Sequence, residues 1–283
     1  MERHSLRIMR LFGINVRLHV SWVFIFVLLT WTFFMQFSGN RHWSNEVCWL
    51  TAFVTSLLFF VSVLLHELSH SLVAIDQGMR VRNIVLFIFG GVAEITEEPR
   101  SAGSEFAMAI AGPMMSFAIA AATGIVWWLT RNISDPIATV SLYLARINVI
   151  LGIFNLIPGF PLDGGRVLRS IIWGVTHDVL LATRWATRIG MAIGFLFIAI
   201  GIWQCFGVAF VNGIWLIFIG WFLAGAAQAA HGRALLREAV RGRTVRQVMP
   251  ADPDVIAPDT DLATVIDAHV VGRNVRNLPV VEG

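Results

Sequence analysis

The stretch "SVLLHELSHSLVA", residues 62–74, places two histidines and a glutamate inside a long apolar run. A charged side chain at bilayer depth costs a few kcal/mol even on lenient scales, so groups kept there have a chemical purpose. His66 and His70 are four residues apart, so on a helix they share one face, and Glu67 lies beside them. This is the H-E-x-x-H arrangement, in which two imidazoles bind Zn²⁺ and the glutamate serves as general base. A divalent cation compensates the desolvated imidazoles and gives the carboxylate a cationic neighbour.

The surrounding chain has membrane composition. It is 57% hydrophobic and only 14% charged, whereas soluble domains carry about 25% charged residues. Mean hydropathy is +0.72. Apolar runs predict six spans, at 19–37, 47–75, 106–129, 141–157, 185–205 and 208–230. The first has no small-residue cleavage signature and reads as a retained span. Net charge is +3, but every basic residue other than histidine is arginine, clustered in short loops. That pattern marks membrane orientation rather than nucleic-acid binding, and it places both termini in the cytoplasm. Cys48 and Cys205 lie in separate apolar segments and predict no disulfide.

Residues 80–98, "RVRNIVLFIFGGVAEITEE", are not helix-like. They read as one or two strands or a re-entrant hairpin, which is allowed at membrane depth only under protein or water cover. Gly90 and Gly91 suit a hairpin turn, or a strand edge that pairs with an extended peptide. Glu94, Glu97 and Glu98 read as a solvated turn. His19, Trp127 and Trp128 read as interfacial.

A catalytic zinc site takes three protein ligands and keeps one position open. The third ligand is expected to be Asp163 in "NLIPGFPLDGGR", residues 155–166, after a span that breaks at two prolines. The second and fourth spans both run from outside to inside, so His66 and Asp163 are expected to meet near the cytosolic face. Asn155 suits either a helix–helix hydrogen bond or cap beside the proline break, or a place in the site.

"HELSH" in one span, a Gly-Gly segment next, "AGP" at 111–113 and "NLIPGFPLDGG" in the fourth span together resemble the site-2 protease family of intramembrane zinc metalloproteases. "LFGINVRLHVSW", residues 11–22, resembles its prokaryotic branch. The resemblance implies one zinc per chain on His66, His70 and Asp163, with Glu67 activating water. It implies that the strand around residues 88–92 pairs with an unwound transmembrane substrate, and that Asn155 faces the site. It also implies a prokaryotic cell membrane and substrates such as membrane-tethered transcription regulators or sigma-factor precursors. Where the family often has Asn after "GP", this chain has Ser116, which receives no role here.

From residue 243 the composition becomes that of a mixed soluble sequence. Asp259 or Thr260 is expected to cap a helix beginning near Asp261. The tail resembles the start of a cystathionine-β-synthase-type (CBS) module, which implies adenine-nucleotide binding once complete. It is too short for the usual pair, so a longer natural protein is expected.

The fold class expected is thus an all-α polytopic membrane protein, with six transmembrane helices, a short re-entrant β segment and a partial α/β CBS-like module. Residues 1–18 form a cytoplasmic arm, 19–230 the core, 231–242 a linker and 243–283 the partial module. The function expected is intramembrane peptide hydrolysis. A metal transporter or sensor using the same His/Asp site, and a catalytically dead helix-binding scaffold, are the alternatives. A general base at Glu67 discriminates against the first, and an intact ligand set against the second.

Overall fold

A computed structural model describes residues 5–39, 43–88, 90–207, 210–240, 243–248, 255–271 and 278–281. Contacts divide the chain into two units, Met1–Ala234 and Leu235–Gly283.

The first unit is mostly helical. Among the described residues six helices are long and apolar enough to cross a membrane: α1 (Val20–Phe37), α2 (Asn45–Asp76), α3 (Ala102–Thr130), α4 (Asp135–Asn155), α6 (Val179–Cys205) and α7 (Phe210–Val240), the last over Phe210–Ala230. The fourth span starts six residues earlier than its apolar run suggested, because Pro136 in the first turn suits a helix start. Ser44 and Ser101 cap α2 and α3 through their hydroxyls, and Asp178 caps α6 through its carboxylate. Helix α3 lies at the centre, packed on α2, α4 and α5 (Asp163–Thr176), while α1 packs on α2 and α6 on α5.

The β content exceeds the short re-entrant segment expected. Residues 80–98 form the hairpin β3 (Val81–Phe87) and β4 (Gly90–Ile95). The arm before α1 folds as a second hairpin, β1 (Ser5–Leu11) and β2 (Ile14–His19), and the four strands make one sheet in chain order. Strand β2 pairs parallel with β3, which is possible because α1 and α2 supply the crossover. Ile14 and Val16 of β2 are buried, and Ile14 joins Val63, Leu68, Ile84 and Leu86 in a core between sheet and α2. Glu94 is not in a solvated turn: it lies on β4 and accepts a 2.6 Å hydrogen bond from Asn83, which in turn accepts one from Asn15.

Two close approaches set the course of the chain between α4 and α6. A Cβ on Gly164 or Gly165 would meet backbone atoms of residues 156–160, so α5 starts hard against the end of α4. The amide of Phe160 donates to the Ala186 carbonyl of α6 at 3.3 Å, and the Phe160–Pro161 peptide is cis.

The second unit contains the short helices α8 (Val245–Val248) and α9 (Leu262–Val265), and a π-helical turn, Ile266–Val271. A parallel bridge joins Ile256 to Val280. Asp261 itself caps α9, in place of Asp259 or Thr260, because its carboxylate reaches the Ala263 amide.

Candidate active site

His66 and His70 lie on one face of α2, nine-tenths or more buried. Asp163 is the first residue of α5, brought to them by the turn after α4. Its Oδ2 is 3.1 Å from His66 Nε2 and 3.2 Å from His70 Nε2. The two Nε2 atoms are 3.3 Å apart. The three residues together form a group that could hold a metal ion.

The other ring nitrogens show what the converging atoms need. His70 Nδ1 is 2.7 Å from the Met108 carbonyl oxygen, which only accepts, so Nδ1 carries the proton. In a neutral His70, Nε2 then holds a lone pair facing a carboxylate oxygen and a second imidazole nitrogen. His66 Nδ1 lies 2.9 Å from Ser116 Oγ, which turns its Nε2 inward in the same way. Nitrogen and carboxylate donors crowded this closely call for a cation, and two imidazoles with one carboxylate suit zinc.

Helix α3 forms the floor of this group. A Cβ on Gly112 would run into His70 Nε2 and would lie 2.6 Å from His66 Nε2. Only glycine lets α3 approach so closely. Pro113 follows inside the helix, with no N–H to give to the preceding turn.

A buried ion pair fixes α5 against α3. Glu105 is fully buried and accepts from Arg169 through Nε at 2.7 Å and through Nη2. Arg166 Nε is 4.0 Å from the same Oε1. Arg166 and Arg169 lie one and two turns along α5 from Asp163, so the pairing holds the helix that carries Asp163.

Glu67 is half-buried and points toward the sheet. A Cβ on Gly91 would fall within 3.1 Å of Glu67 Cδ and 3.2 Å of Leu86 Cδ2. Gly90 has φ +123°, a conformation other residues rarely adopt. Gly91 is thus brought to Glu67, with Gly90 beside it on β4. Asn155 is different: it ends α4, half-buried, and among the described residues no hydrogen bond joins it to the group.

The sequence reading gave no role in the site to Ser116, Met108, Gly112 or Glu105. Gly112 had a signal in "AGP". Glu105 had one as an acid at the edge of an apolar run. Met108 had none, since it acts through its backbone.

Comparison with known proteins gives this constellation its context. The family model for peptidase family M50 matches residues 54–132 and 130–200. The chain belongs to peptidase family M50. A Synechocystis sp. protein named as a zinc metalloprotease is 35% identical over 95% of this chain and 71% of its own length. A Mycobacterium tuberculosis protein likewise named is 31% identical over 99% of this chain and 72% of its own. The solved site-2 protease from Methanocaldococcus jannaschii aligns with TM-score 0.54 and 32% identity, over 81% of this chain and 95% of that one. This M50 peptidase is a zinc-dependent, multi-pass membrane protease, and its His-His-Asp group suits the metal.

Proposed function

We propose that the chain hydrolyses a peptide bond of a transmembrane protein substrate, with His66, His70 and Asp163 as zinc ligands and Glu67 as general base. The observation that carries this reading is the meeting of two α2 imidazoles with the first carboxylate of α5, with Glu67 beside them against β4. Zinc in such a site polarises the scissile carbonyl and lowers the pKa of water toward neutrality.

The residues of the chain divide the remaining work. Ser116 and the Met108 carbonyl orient the imidazoles. Glu67 takes a proton from the attacking water and delivers it to the leaving amine. Strand β4 is the last of the sheet, so its outer edge offers backbone groups to an extended peptide next to Glu67. A substrate helix must unwind to use them, since its carbonyls are otherwise held in i→i−4 bonds. Gly90 and Gly91 let that backbone come close, and Asn155 contributes to holding the peptide.

The arginine-rich loops support cytoplasmic termini and hydrolysis near the cytosolic half of the bilayer. Membrane-tethered regulators and sigma-factor precursors are the substrate class that the family resemblance implies. The tail, read as a CBS-type module, would tune activity through adenine nucleotide.

The test is Glu67→Gln in the full chain, reconstituted with a transmembrane substrate. Cleavage is expected to vanish while bound zinc stays near one per chain. Continued cleavage would remove Glu67 from the mechanism.

A further inference from the structure

The β1–β2 hairpin serves no part of the chemistry above, yet it is built unusually. Leu6 is 77% exposed, Ile8 51% and Phe12 72%. Between them lie the exposed Arg7 and Arg10 and, across the ladder, the half-buried Arg17. Arg7 sits directly opposite Arg17, a like-charge pairing that is unfavourable by itself. The Nε of Arg17 is buried without a hydrogen-bond partner. Among the described residues, none of these arginines forms an ion pair. Arg10 Nε and Arg17 Nη2 reach only backbone oxygens, those of Gly13 and Ser5. Edge-strand β1 also bulges at Ile8, which leaves that residue outside the ladder.

Register fixes where this surface lies. Strand β2 runs straight into span α1, with His19 as its cap. Leu18 pairs with Leu86, and Leu86 with Gly91, which touches Glu67. The α1 end of the hairpin is therefore level with Glu67. Its turn, Phe12–Gly13, is six residues back from Leu18, about 20 Å at strand rise. Helix α2 continues nine residues past Glu67 to Asp76, about 14 Å at helix rise. The turn thus reaches just past the end of α2, and if α1 fills the hydrocarbon the phospholipid headgroups begin at the other end of the hairpin, where Leu6 pairs with Leu18 and Arg7 with Arg17.

We propose that the β1–β2 hairpin is, at its α1 end, an interfacial anchor for anionic phospholipids. Arg7, Arg10 and Arg17 take the headgroup phosphates, and Leu6 and Ile8 seat between the upper acyl carbons. The chemistry selects lipid over free phosphate. Apolar side chains alternate with the cations, and a cation pair lacking any protein counter-charge is relieved by an anion between its members. Placement in the headgroup zone also hydrates the open edge of β1, which hydrocarbon would not tolerate.

The test uses the full chain in nanodiscs, of phosphatidylcholine alone or with phosphatidylglycerol. An Ile8→Cys variant in a Cys205→Ser background carries an environment-sensitive fluorophore, Cys48 being buried. Quenching by lipids spin-labelled near the headgroup is read, with zinc content as the folding control. Quenching should rise with phosphatidylglycerol. Arg7→Gln with Arg10→Gln should raise the half-saturating fraction by roughly tenfold or more, since each arginine contributes about fivefold. About 0.5 M salt should act in the same direction, and it reads the contact with the arginines intact should the double variant misfold. Equal quenching in neutral and anionic discs, or indifference to both the arginines and salt, overturns the proposal.

Discussion

Ser116 Oγ lies 2.9 Å from His66 Nδ1, joining the middle of α3 to the first histidine of α2. The hydroxyl holds the angle of a ring whose other nitrogen faces Asp163. Loss of such an outer partner typically costs 10–100-fold in metal affinity. Ser116→Ala is therefore expected to weaken zinc binding about tenfold or more, measured by competition with a chromophoric chelator. Unchanged affinity would show that packing alone orients His66.

Gly112 makes a different demand on the same helix. Its missing side chain is the space that His70 Nε2 occupies. Gly112→Ala should displace the imidazoles and strip most of the zinc, while circular dichroism in detergent stays helical. Full metal occupancy in this variant would mean that α3 can retreat without cost to the site.

Glu105 should couple stability to metal binding. Removing one partner of a buried pair leaves the other charge uncompensated, at about 3–5 kcal/mol. Glu105→Gln is expected to lower the thermal midpoint and also to weaken zinc binding, because the freed arginines belong to the helix that starts at Asp163. Arg169→Lys should cause a smaller loss of both, since an ammonium lacks the fork that Arg169 presents to Glu105. A lower midpoint with intact zinc affinity would confine the pair to holding the helices together.

Gly91→Val separates the strand edge from the metal. The added Cβ would press on Glu67 and Leu86, and its three nearest atoms include none of the three converging ones. Cleavage of a transmembrane substrate should fall by more than tenfold, on the order of the loss of one well-placed general base. Zinc content should stay at wild-type level, and a variant that cleaves normally would take Gly91 away from Glu67's working geometry.

Asp163→Ala tests whether α5 belongs to the site. Two imidazoles alone make a poor zinc site, so metal measured by mass spectrometry should be mostly lost. Retention of one zinc per chain would dissolve the link between "HELSH" and "LDGG".

Much of this was legible along the chain because it depends on local rules. Six apolar runs, the i, i+4 spacing of His66 and His70, and the proline break before Asp163 each need only a few neighbouring residues to be read. The second hairpin was not. "LRIMRLFGINVRLH" mixes arginine and apolar residues with little amphipathic signal, since β1 is exposed on both faces. It becomes sheet because β3 offers β2 an edge that is 68 residues away in sequence at Asn15 and Asn83. Ser116 and Met108 were hidden for a related reason, as each acts only through a contact with another span.

Sequence by itself thus determined the membrane class, the two histidines on one face and the kind of chemistry they serve, because helix period and hydropathy are properties of short windows. Tertiary structure alone decided that α3 lies against those histidines, that Glu105 ties α5 to α3 and that β4 borders Glu67. Those relations depend on how closely glycines 112, 164 and 165 let separate backbones approach, and that distance exists only once the helices are packed.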